Sequence, residues 1–309
     1  KAICYILTMT ITLKNARFEA VINTHGAEIN SLKDVKDGTE YVWNGDASVW
    51  KFHAPVLFPH VGRIRDGFMT YGGKEYKLMN NGFSRDMEFK LLKNTDKTAE
   101  FELTENEYTA DKYPWKFSLI VRYELTEKGL KFTSTVTNTD KEDISFSLGS
   151  HTAFCCPRNT DPDGTKNSSY RIEFEKREAL TRVVCTDDGY LAFDKDEIAP
   201  CTEPYGEKEA GIIPLTDKGF GTGHFFTAFN SDWVGLRNKN TNHIVKVNTK
   251  GYPYVMIWQN AGEPRFACIE PWYGTPDPAI TDHAWETKPA LISLEPGKSF
   301  TADQSITIE

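Results

Sequence analysis

Apolar and polar residues alternate with a period of two along most of this chain. The runs 10–14 and 16–22 are separated by Asn15, and apolar residues of the second run recur at every second position from Phe18 to Ile22. Because successive side chains of a strand point to opposite faces, this spacing places the apolar residues on one face. We therefore predict that the two runs pair as a β-hairpin.

Similar alternating runs recur further along the chain, separated by turn-forming residues. They are 98–105, 116–125, 129–139, 143–149, 170–174, 232–238 and 243–249. Helical periodicity is limited to short pieces, such as 279–287. The polar stretch 157–169 predicts a surface loop, because strand-like runs continue on both sides of it. Many short strands at this spacing favour an all-β protein, either an antiparallel sandwich or a barrel.

A second hairpin is predicted from two apolar runs, 254–258 and 265–272. Between them lie the residues 260–264, which are typical of a hairpin loop. The second run carries a single acid, Glu270, which Pro271 follows. Since proline cannot donate to a strand ladder, we predict that regular pairing ends there. Glu270 would then lie at a strand end.

Glu270 is a candidate general base. A carboxylate in apolar surroundings loses solvation, and its pKa rises toward the range that a base needs. Trp272 and Tyr273 follow closely, and aromatic faces beside a carboxylate suit a sugar ring. The alternative from local sequence is a strand-end glutamate that is merely solvated.

Two further segments offer side chains for ligand binding. Arg63 and Arg65 follow an apolar run, and an arginine there can donate two hydrogen bonds to a hydroxyl, a carboxylate or a phosphate. Asn81 and Arg85 surround Gly82 in a polar turn. The ordinary structural interpretations are a surface ion pair for the first segment and a simple turn for the second.

Two histidines lie in segments that could carry chemistry. His151 follows a predicted strand and lies between small residues, so it is either a neutral core histidine or a proton donor near neutral pH. His224 lies in a glycine-rich loop that lacks the features of a phosphate-binding loop, and we interpret it as structural.

The composition narrows the class of protein. The chain has 309 residues, 39% hydrophobic and 26% charged, with a net charge of −8. An acidic chain is a poor partner for nucleic acid or an anionic membrane, and no run approaches the ~20 apolar residues of a membrane span.

We predict one domain over 9–309. The apolar residues 1–8 are too short for a signal peptide and precede Met9, so we expect an N-terminal extension.

The cysteines and remaining histidines do not indicate a metal site. The cysteines are Cys4, Cys155, Cys156, Cys185, Cys201 and Cys268. They show no CxxC and no paired histidine spacing, so reduced thiols in a cytoplasmic enzyme are the simplest interpretation. His53 and His60 flank an apolar run, but the close histidine pair of a metal-binding jelly roll is absent. We predict no metal and no other cofactor.

Five segments together resemble the galactose mutarotase-like, or aldose 1-epimerase, family, and within it the LacX-type branch. In family order they are GAEINSL (26–32), FPHVGRIRDG (58–67), NGFSRD (81–86), GSHTAF (149–154) and CIEPWYG (268–274). The last two are fairly specific in combination, whereas the first is weak alone.

The resemblance implies a large antiparallel β-sandwich with a sugar site on one concave sheet. It implies that Glu270 is the general base, that His151 is the general acid and that Arg63 binds substrate. The family usually carries a histidine where this chain has Asn81. The family's later substrate-binding aspartate has no clear match near 219–224.

The favoured hypothesis is a hexose mutarotase that opens and closes the sugar ring by acid and base catalysis. Arg63, Asn81, Arg85 and Trp272 are then the candidate substrate-binding residues. A sugar phosphate is a further substrate option, because Arg65 can join Arg63 and Arg85 in a local anion site.

Two other classes of function remain open. The first is a non-catalytic sugar-binding or regulatory protein on the same fold. The second is a glycosidase, which needs another acid ~5–9 Å from Glu270. The sequence offers Glu263, Asp277 and Asp282 for that second acid without singling one out.

Overall fold

The computed structural model describes residues 8–193, 200–206, 210–221 and 223–309, so most of the expected extension at 1–8 lies outside the described residues. The strands are β1 (Thr10–Lys14), β2 (Phe18–Asn23), β3 (Ile29–Asp34), β4 (Val56–Leu57), β5 (Phe68–Tyr71), β6 (Lys74–Lys77), β7 (Lys90–Asn94), β8 (Thr98–Thr104), β9 (Phe117–Thr126), β10 (Gly129–Asn138), β11 (Ile144–Phe146), β12 (Leu148–Ser150), β13 (Thr152–Cys155), β14 (Tyr170–Phe174), β15 (Leu180–Val183), β16 (Thr202–Tyr205), β17 (Ile212–Pro214), β18 (His224–Thr227), β19 (Trp233–Asn238), β20 (Ile244–Asn248), β21 (Tyr254–Trp258), β22 (Phe266–Tyr273), β23 (Ile292–Leu294) and β24 (Ser299–Ile308). The helical segments are α1 (Glu107–Ala110) and 3-10 turns at Arg65–Gly67, Ser84–Asp86, Asn167–Ser169 and Trp285–Thr287.

Two large antiparallel sheets confirm the prediction of an all-β sandwich. One sheet has nine strands in the order β17-β14-β19-β20-β24-β10-β9-β8-β7. The other has eight, in the order β16-β15-β18-β21-β22-β12-β4, with β13 also paired to β22. The predicted hairpin at 10–22 is present as β1 and β2, which join β3 in a small third sheet.

The core lies between the two large sheets. Strand β9 alternates buried and half-buried residues over its whole length, as its sequence pattern predicts. Its residues Phe117, Leu119 and Val121 share one apolar core with Val255 of β21 and Ile269 of β22. Each such burial contributes ~1.5–3 kcal/mol, which makes the alternation the main determinant of which face turns inward.

The predicted strands are present, but the helical pieces differ from the prediction. The run 143–149 is divided between β11 and β12. The stretch 279–287 is not an α-helix, because His283 has a left-handed backbone (φ 62°) and only Trp285–Thr287 forms a 3-10 turn. The sequence pattern also missed α1, which Asn106 caps by accepting hydrogen bonds from two backbone N–H groups.

Strand β22 continues through Pro271, so the prediction that pairing ends there is wrong. Strand β21 pairs with β22 at Pro271 and at Trp272. On its other edge, β22 pairs with β12 at Trp272 and with β13 from Ile269, and Pro271 falls between these two ladders. The missing N–H of proline therefore leaves no ladder bond unmade.

None of the described helical segments is long and apolar enough to cross a membrane. A single domain over 9–309 stays a prediction.

Candidate active site

One row of side chains across the eight-stranded sheet forms the floor of the main cavity. The register pairs Val183 with Phe225, Phe225 with Met256 and Met256 with Glu270. Paired residues of neighbouring strands point to the same face of a sheet. All four line a cavity of about 540 Å³, which lies within the ~300–1,000 Å³ of typical small-molecule sites.

His151 extends this row beyond Glu270. Strand β12 pairs Gly149 with Trp272, and β13 pairs Thr152 with Ile269, in one unbroken register. That register places His151 opposite Glu270, in the gap between the β12 and β13 ladders where Pro271 also lies. The sequence motifs around His151 and Glu270 thus meet because two adjacent strands carry them.

The cavity brings the predicted site residues together. The six residues named from the sequence, Arg63, Asn81, Arg85, His151, Glu270 and Trp272, all line it. Loops and strand ends complete its walls with Trp50, Phe52, Gly62, Asn80, Arg182, Cys185, Asp187, Asp188, Gly189, Gly221, Gly223, Trp258 and Pro276. The structure gives the positions of these residues, and their roles stay predictions.

Glu270 is fully buried, not solvated at a strand end. Its exposure is 0%, and neither carboxyl oxygen has a hydrogen-bond partner among the described residues. Burial raises the pKa of Glu270 well above its usual value. An acid without hydrogen-bond donors is expensive to ionise in such a setting, so this carboxyl is poised to hold a proton until a ligand supplies donors.

His151 is in direct contact with Glu270. Its Nε2 lies 3.3 Å from Oε2 of Glu270, and its ring stacks on Trp50 with centroids 4.8 Å apart. Burial, reinforced by the positive charge of Arg85, lowers the pKa of His151 to about 3. Its Nδ1 is buried without a partner among the described residues. The imidazole is therefore neutral in the free protein.

Glu270 and His151 are close enough to act as one proton-transfer pair, and no hydrogen bond joins them in the free protein. Two groups in contact titrate together, and a single proton resides on the group with the higher pKa. The opposite shifts place that proton on Glu270 and leave His151 neutral. The contact between them is short enough to move the proton from the carboxyl to the imidazole once a ligand stabilises the carboxylate.

We expect the acid limb of any proton-transfer activity at this pair to lie far below the usual histidine range. The active form carries one proton, and a second proton is added only near the pKa of His151, about 3 instead of 6.5. The rate should therefore stay level from pH ~7 down to ~5. A profile of the catalysed anomer-exchange rate, corrected for spontaneous exchange, checks this. A fall centred near 6.5 would contradict it.

The glycine of the GSHTAF segment is explained by Trp272. A Cβ at Gly149 would lie 2.5 Å from Cδ1 of that indole. The Trp272 ring also packs against Phe225, with centroids 5.3 Å apart. Gly149 thus leaves room for an aromatic face next to Glu270.

Side-chain oxygens hold the loop that carries Arg63. The N–H of Gly62 donates to Oδ1 of Asn81 at 2.6 Å, and the N–H of Ile64 donates to Oδ1 of Asn80 at 2.9 Å. Asn81 therefore has a positioning contact that sequence reasoning did not foresee. Its backbone is left-handed (φ 65°), a conformation that asparagine tolerates better than most residues.

A cluster of buried polar groups also binds the backbone of the Arg63 loop. Oδ2 of Asp277 accepts from the N–H of Arg65 at 2.8 Å, and its Oδ1 lies 2.5 Å from Nζ of Lys288. The carbonyl oxygen of Arg63 faces Nε2 of His60 at 2.9 Å and accepts from the backbone N–H of Asp277, also at 2.9 Å. The backbone on both sides of Arg63 is thereby immobilised, which lowers the entropy cost of ligand binding.

His60 does not occupy the space left by a histidine at position 81. It is fully buried beneath the Arg63 loop and is absent from the cavity lining. Burial lowers its pKa to about 3. His60 is therefore a structural group.

The arginines of the expected anion site differ in their position relative to the cavity. Arg85 lies in the cavity, over the ring of Phe52 at 4.4 Å and 3.5 Å from Asp86. Arg65 is not among the lining residues, but its Nη1 lies 4.0 Å from Oδ2 of the wall residue Asp188 and its Nε lies 3.5 Å from Asp66. Arg65 therefore lies beside the cavity, and its part in an anion site stays a prediction.

Arg182 is a basic residue of the wall that sequence reasoning missed. It lies in β15, and its Nε donates to Oε1 of Glu203 at 2.7 Å on the neighbouring strand β16. Local sequence shows only one arginine in a short apolar run, with no signal for a site. Its position in the wall follows from sheet order alone.

Aromatic and acidic wall residues were also missed. Trp50 and Trp258 pack against each other and against His151. Asp187 and Asp188 follow β15 and provide acids at the other wall. A cluster of aromatic residues near 43–52 is visible in the sequence and was the available signal for Trp50.

The acids proposed for a glycosidase do not meet Glu270. Glu263, Asp277 and Asp282 are absent from the cavity lining, and Asp277 forms an ion pair with Lys288.

His224 also lies outside the lining, packed against Tyr205 and Phe220. Five cysteines fall within the described residues and are free thiols, whereas Cys4 lies outside them.

Comparison with known proteins defines the class. The sequence model of the aldose 1-epimerase family matches residues 9–307. The chain belongs to the aldose 1-epimerase family, which confirms the resemblance drawn from its motifs.

Individual relatives agree in sequence and in fold. The plasmid form of protein LacX from Lactococcus lactis subsp. lactis is 27% identical over 325 residues, covering 97% of this chain and 99% of that protein. A galactose mutarotase related enzyme from Lactobacillus acidophilus has a TM-score of 0.88 at 31% identity, covering 97% of each chain. A galactose mutarotase-like protein from Lactobacillus casei ATCC 334 has a TM-score of 0.84 at 29% identity, covering 97% of this chain and 100% of that one. Membership in the aldose 1-epimerase family therefore indicates an isomerase-type protein that acts on sugars.

Proposed function

We propose that this protein is a mutarotase that interconverts the α and β anomers of a hexose or a hexose phosphate. The observation that carries the proposal is the buried contact of 3.3 Å between Glu270 and His151 at the floor of the cavity. One carboxyl and one imidazole that share a proton are the two groups that ring opening needs. Family membership supports the same class of reaction.

The proposed reaction begins when sugar hydroxyls donate hydrogen bonds to the oxygens of Glu270. These donors stabilise the carboxylate, so the shared proton moves to His151. Glu270 then removes the proton from the C1 hydroxyl while His151 protonates the ring oxygen. The bond between C1 and the ring oxygen breaks and leaves an aldehyde. After rotation about the C1–C2 bond, the ring closes with the two roles reversed.

The other predicted residues bind and orient the ring in this proposal. Arg63 and Arg85 donate to sugar oxygens, and Trp272 provides an apolar face. Asn81 holds the Arg63 loop through Gly62, and its Nδ2 has no partner among the described residues. That amide group is free to donate to the sugar.

Three arginines favour a phosphorylated hexose as one substrate. Arg63, Arg85 and Arg182 line the cavity, and Arg63 forms no salt bridge with a described carboxylate. Arg63 is exposed at the cavity wall, and an unpaired guanidinium there can donate two hydrogen bonds to a phosphate. We propose that Arg63 supplies this contact, without a metal or other cofactor.

NMR exchange spectroscopy on a panel of free and 6-phosphorylated hexoses tests the proposal. Faster exchange between the anomeric signals when the protein is added is the expected result. Binding without faster exchange would instead identify a sugar-binding protein on this fold. Release of a new reducing end from a glycoside would identify a hydrolase.

The non-catalytic alternative rests on Asn81, which replaces the histidine usual in the family. We expect Asn81→His to change the exchange rate about tenfold or less, ~1.4 kcal/mol of barrier, because Glu270 and His151 remain in place and only the hydrogen bond that the N–H of Gly62, in the Arg63 loop, donates to Asn81 is lost. The same exchange measurement checks it. A gain of several hundredfold would show that the natural protein is a repurposed epimerase.

We also propose a cytoplasmic location. The support is chemical: the five described cysteines are free, including Cys155 and Cys156 side by side, and free thiols persist in reducing compartments.

A further inference from the structure

A third side chain, the thiol of Cys268, lies beside the catalytic pair. Cys268 and Glu270 are two residues apart on β22, so they point to the same face of the sheet. The ligand atoms of His151, Cys268 and Glu270 all lie within 4.8 Å of one another. Cys268 itself does not line the cavity and is covered by Trp43 and Phe266.

The separation of His151 and Glu270 matches that of two ligands of a tetrahedral metal centre. With Zn–N and Zn–O bonds of ~2.0–2.2 Å, a tetrahedral angle separates the nitrogen and oxygen ligands by about 3.3–3.5 Å. The measured separation of His151 Nε2 and Glu270 Oε2 is 3.3 Å. A thiolate bond of ~2.3 Å places the sulfur ~3.6 Å from the other two ligand atoms. The sulfur of Cys268 lies within 4.8 Å of both, so a side-chain adjustment brings it to that distance.

The unsatisfied acceptors of the cluster favour a cation, against the opposing positive charge of Arg85. Both oxygens of Glu270 are buried without a donor among the described residues, and His151 offers a neutral imidazole nitrogen. A bound cation satisfies all of these acceptors at once. Imidazole, thiolate and carboxylate together suit zinc and softer ions better than magnesium or calcium, which prefer oxygen ligands alone.

We propose that His151, Cys268 and Glu270 form a binding site for a thiophilic divalent cation such as Zn²⁺ or Cd²⁺, and that the bound ion inhibits the protein. The fourth coordination position faces the cavity, because His151 and Glu270 line it. The ion occupies both proton-transfer groups, so it blocks sugar turnover. Inhibition rests on the proposed mutarotase function, whereas binding of the ion does not.

Binding of the ion releases protons. The thiol of Cys268 gives up its proton to form the metal–sulfur bond, and the carboxyl of Glu270 gives up the proton it shares with His151. Affinity should therefore rise with pH, about tenfold per pH unit for each proton released.

The test is a titration of the intact protein with Cd²⁺ as the probe ion. Calorimetry gives the stoichiometry, and ultraviolet absorbance reports cadmium–thiolate bonds. We expect one ion per chain and a new thiolate band. Cys268→Ala should remove the band and weaken binding by ~100-fold or more, since even outer-shell changes commonly cost ~10–100-fold. Cys201→Ala, a thiol outside the cavity lining, should bind like the wild type.

Two further measurements distinguish failure of the ion-binding site from failure of the mutarotase proposal. His151→Gln should weaken Cd²⁺ binding even if Cys268→Ala folds poorly. Cd²⁺ should slow anomer exchange in the wild type, far less in Cys268→Ala, and Mg²⁺ should slow neither. Unchanged binding in both variants overturns the site. Cd²⁺ binding that depends on Cys268 in a protein without exchange activity would leave the site intact and refute the mutarotase proposal instead.

Discussion

Glu270→Gln is expected to lower the catalysed rate of anomer exchange by ~10²-fold or more, with sugar binding largely retained. The amide keeps the shape of the side chain and its hydrogen bonding, but it cannot accept a proton. It also removes the carboxyl proton that we propose moves to His151, whose Nε2 lies 3.3 Å from Oε2 of Glu270. NMR exchange spectroscopy gives the rate, and a sugar titration gives the affinity. Exchange close to that of the wild type would remove Glu270 from the reaction.

Glu263→Gln is the matched control, because it makes the same change on the loop between β21 and β22, outside the cavity lining. It should leave the rate within about twofold, since surface substitutions rarely perturb a distant site.

The same pair of variants should differ in how stability depends on pH. The pKa of Glu270 is raised in the folded protein, so the folded state binds more protons than the unfolded state between the unfolded pKa and the folded one. Stability therefore falls as pH rises through that window. Glu270→Gln abolishes this loss, so the variant should gain stability relative to the wild type at pH ~8 compared with pH ~5. Denaturant unfolding at the two pH values measures it.

Asp277→Ala is expected to lower the free energy of unfolding by ~3–5 kcal/mol, because it leaves the ammonium group of Lys288 buried without its partner. Nζ of Lys288 lies 2.5 Å from Oδ1 of Asp277, and the two side chains are only 4% and 7% exposed. The variant also loses the hydrogen bond to the N–H of Arg65, so substrate KM should rise through poorer placement of Arg63. Urea unfolding monitored by tryptophan fluorescence gives the stability.

An exposed ion pair provides the control for Asp277. Nζ of Lys250 lies 3.3 Å from Asp232, and these side chains are 72% and 52% exposed. Asp232→Ala should change stability by less than ~0.5 kcal/mol, because solvent screens such pairs. Replacing Asp277 by Leu together with Lys288 by Met should recover most of the loss, since no unpaired charge remains. Equal effects at the buried and exposed pairs would contradict this account.

The sequence by itself determined the fold class and the principal chemical groups. A period of two along β9 requires one buried face, and no helix accommodates that pattern. The single acid in the apolar run of β22 left two interpretations open, a desolvated carboxyl and a solvated one at a strand end, and burial of Glu270 decides for the first. The motifs around Arg63, His151 and Glu270 also sufficed to identify the family, which the match over residues 9–307 confirms.

Only the tertiary structure decided which groups meet. Arg182 enters the cavity because β15 lies two strands from β21, an order that local sequence does not encode. His60 and Arg65 carry an imidazole and a guanidinium, yet neither lines the cavity. Nε2 of His60 contacts the backbone carbonyl of Arg63, and Arg65 pairs with Asp66. The physical reason is that local patterns specify which face of a strand is buried, whereas the partners of a strand follow from packing of the whole sheet.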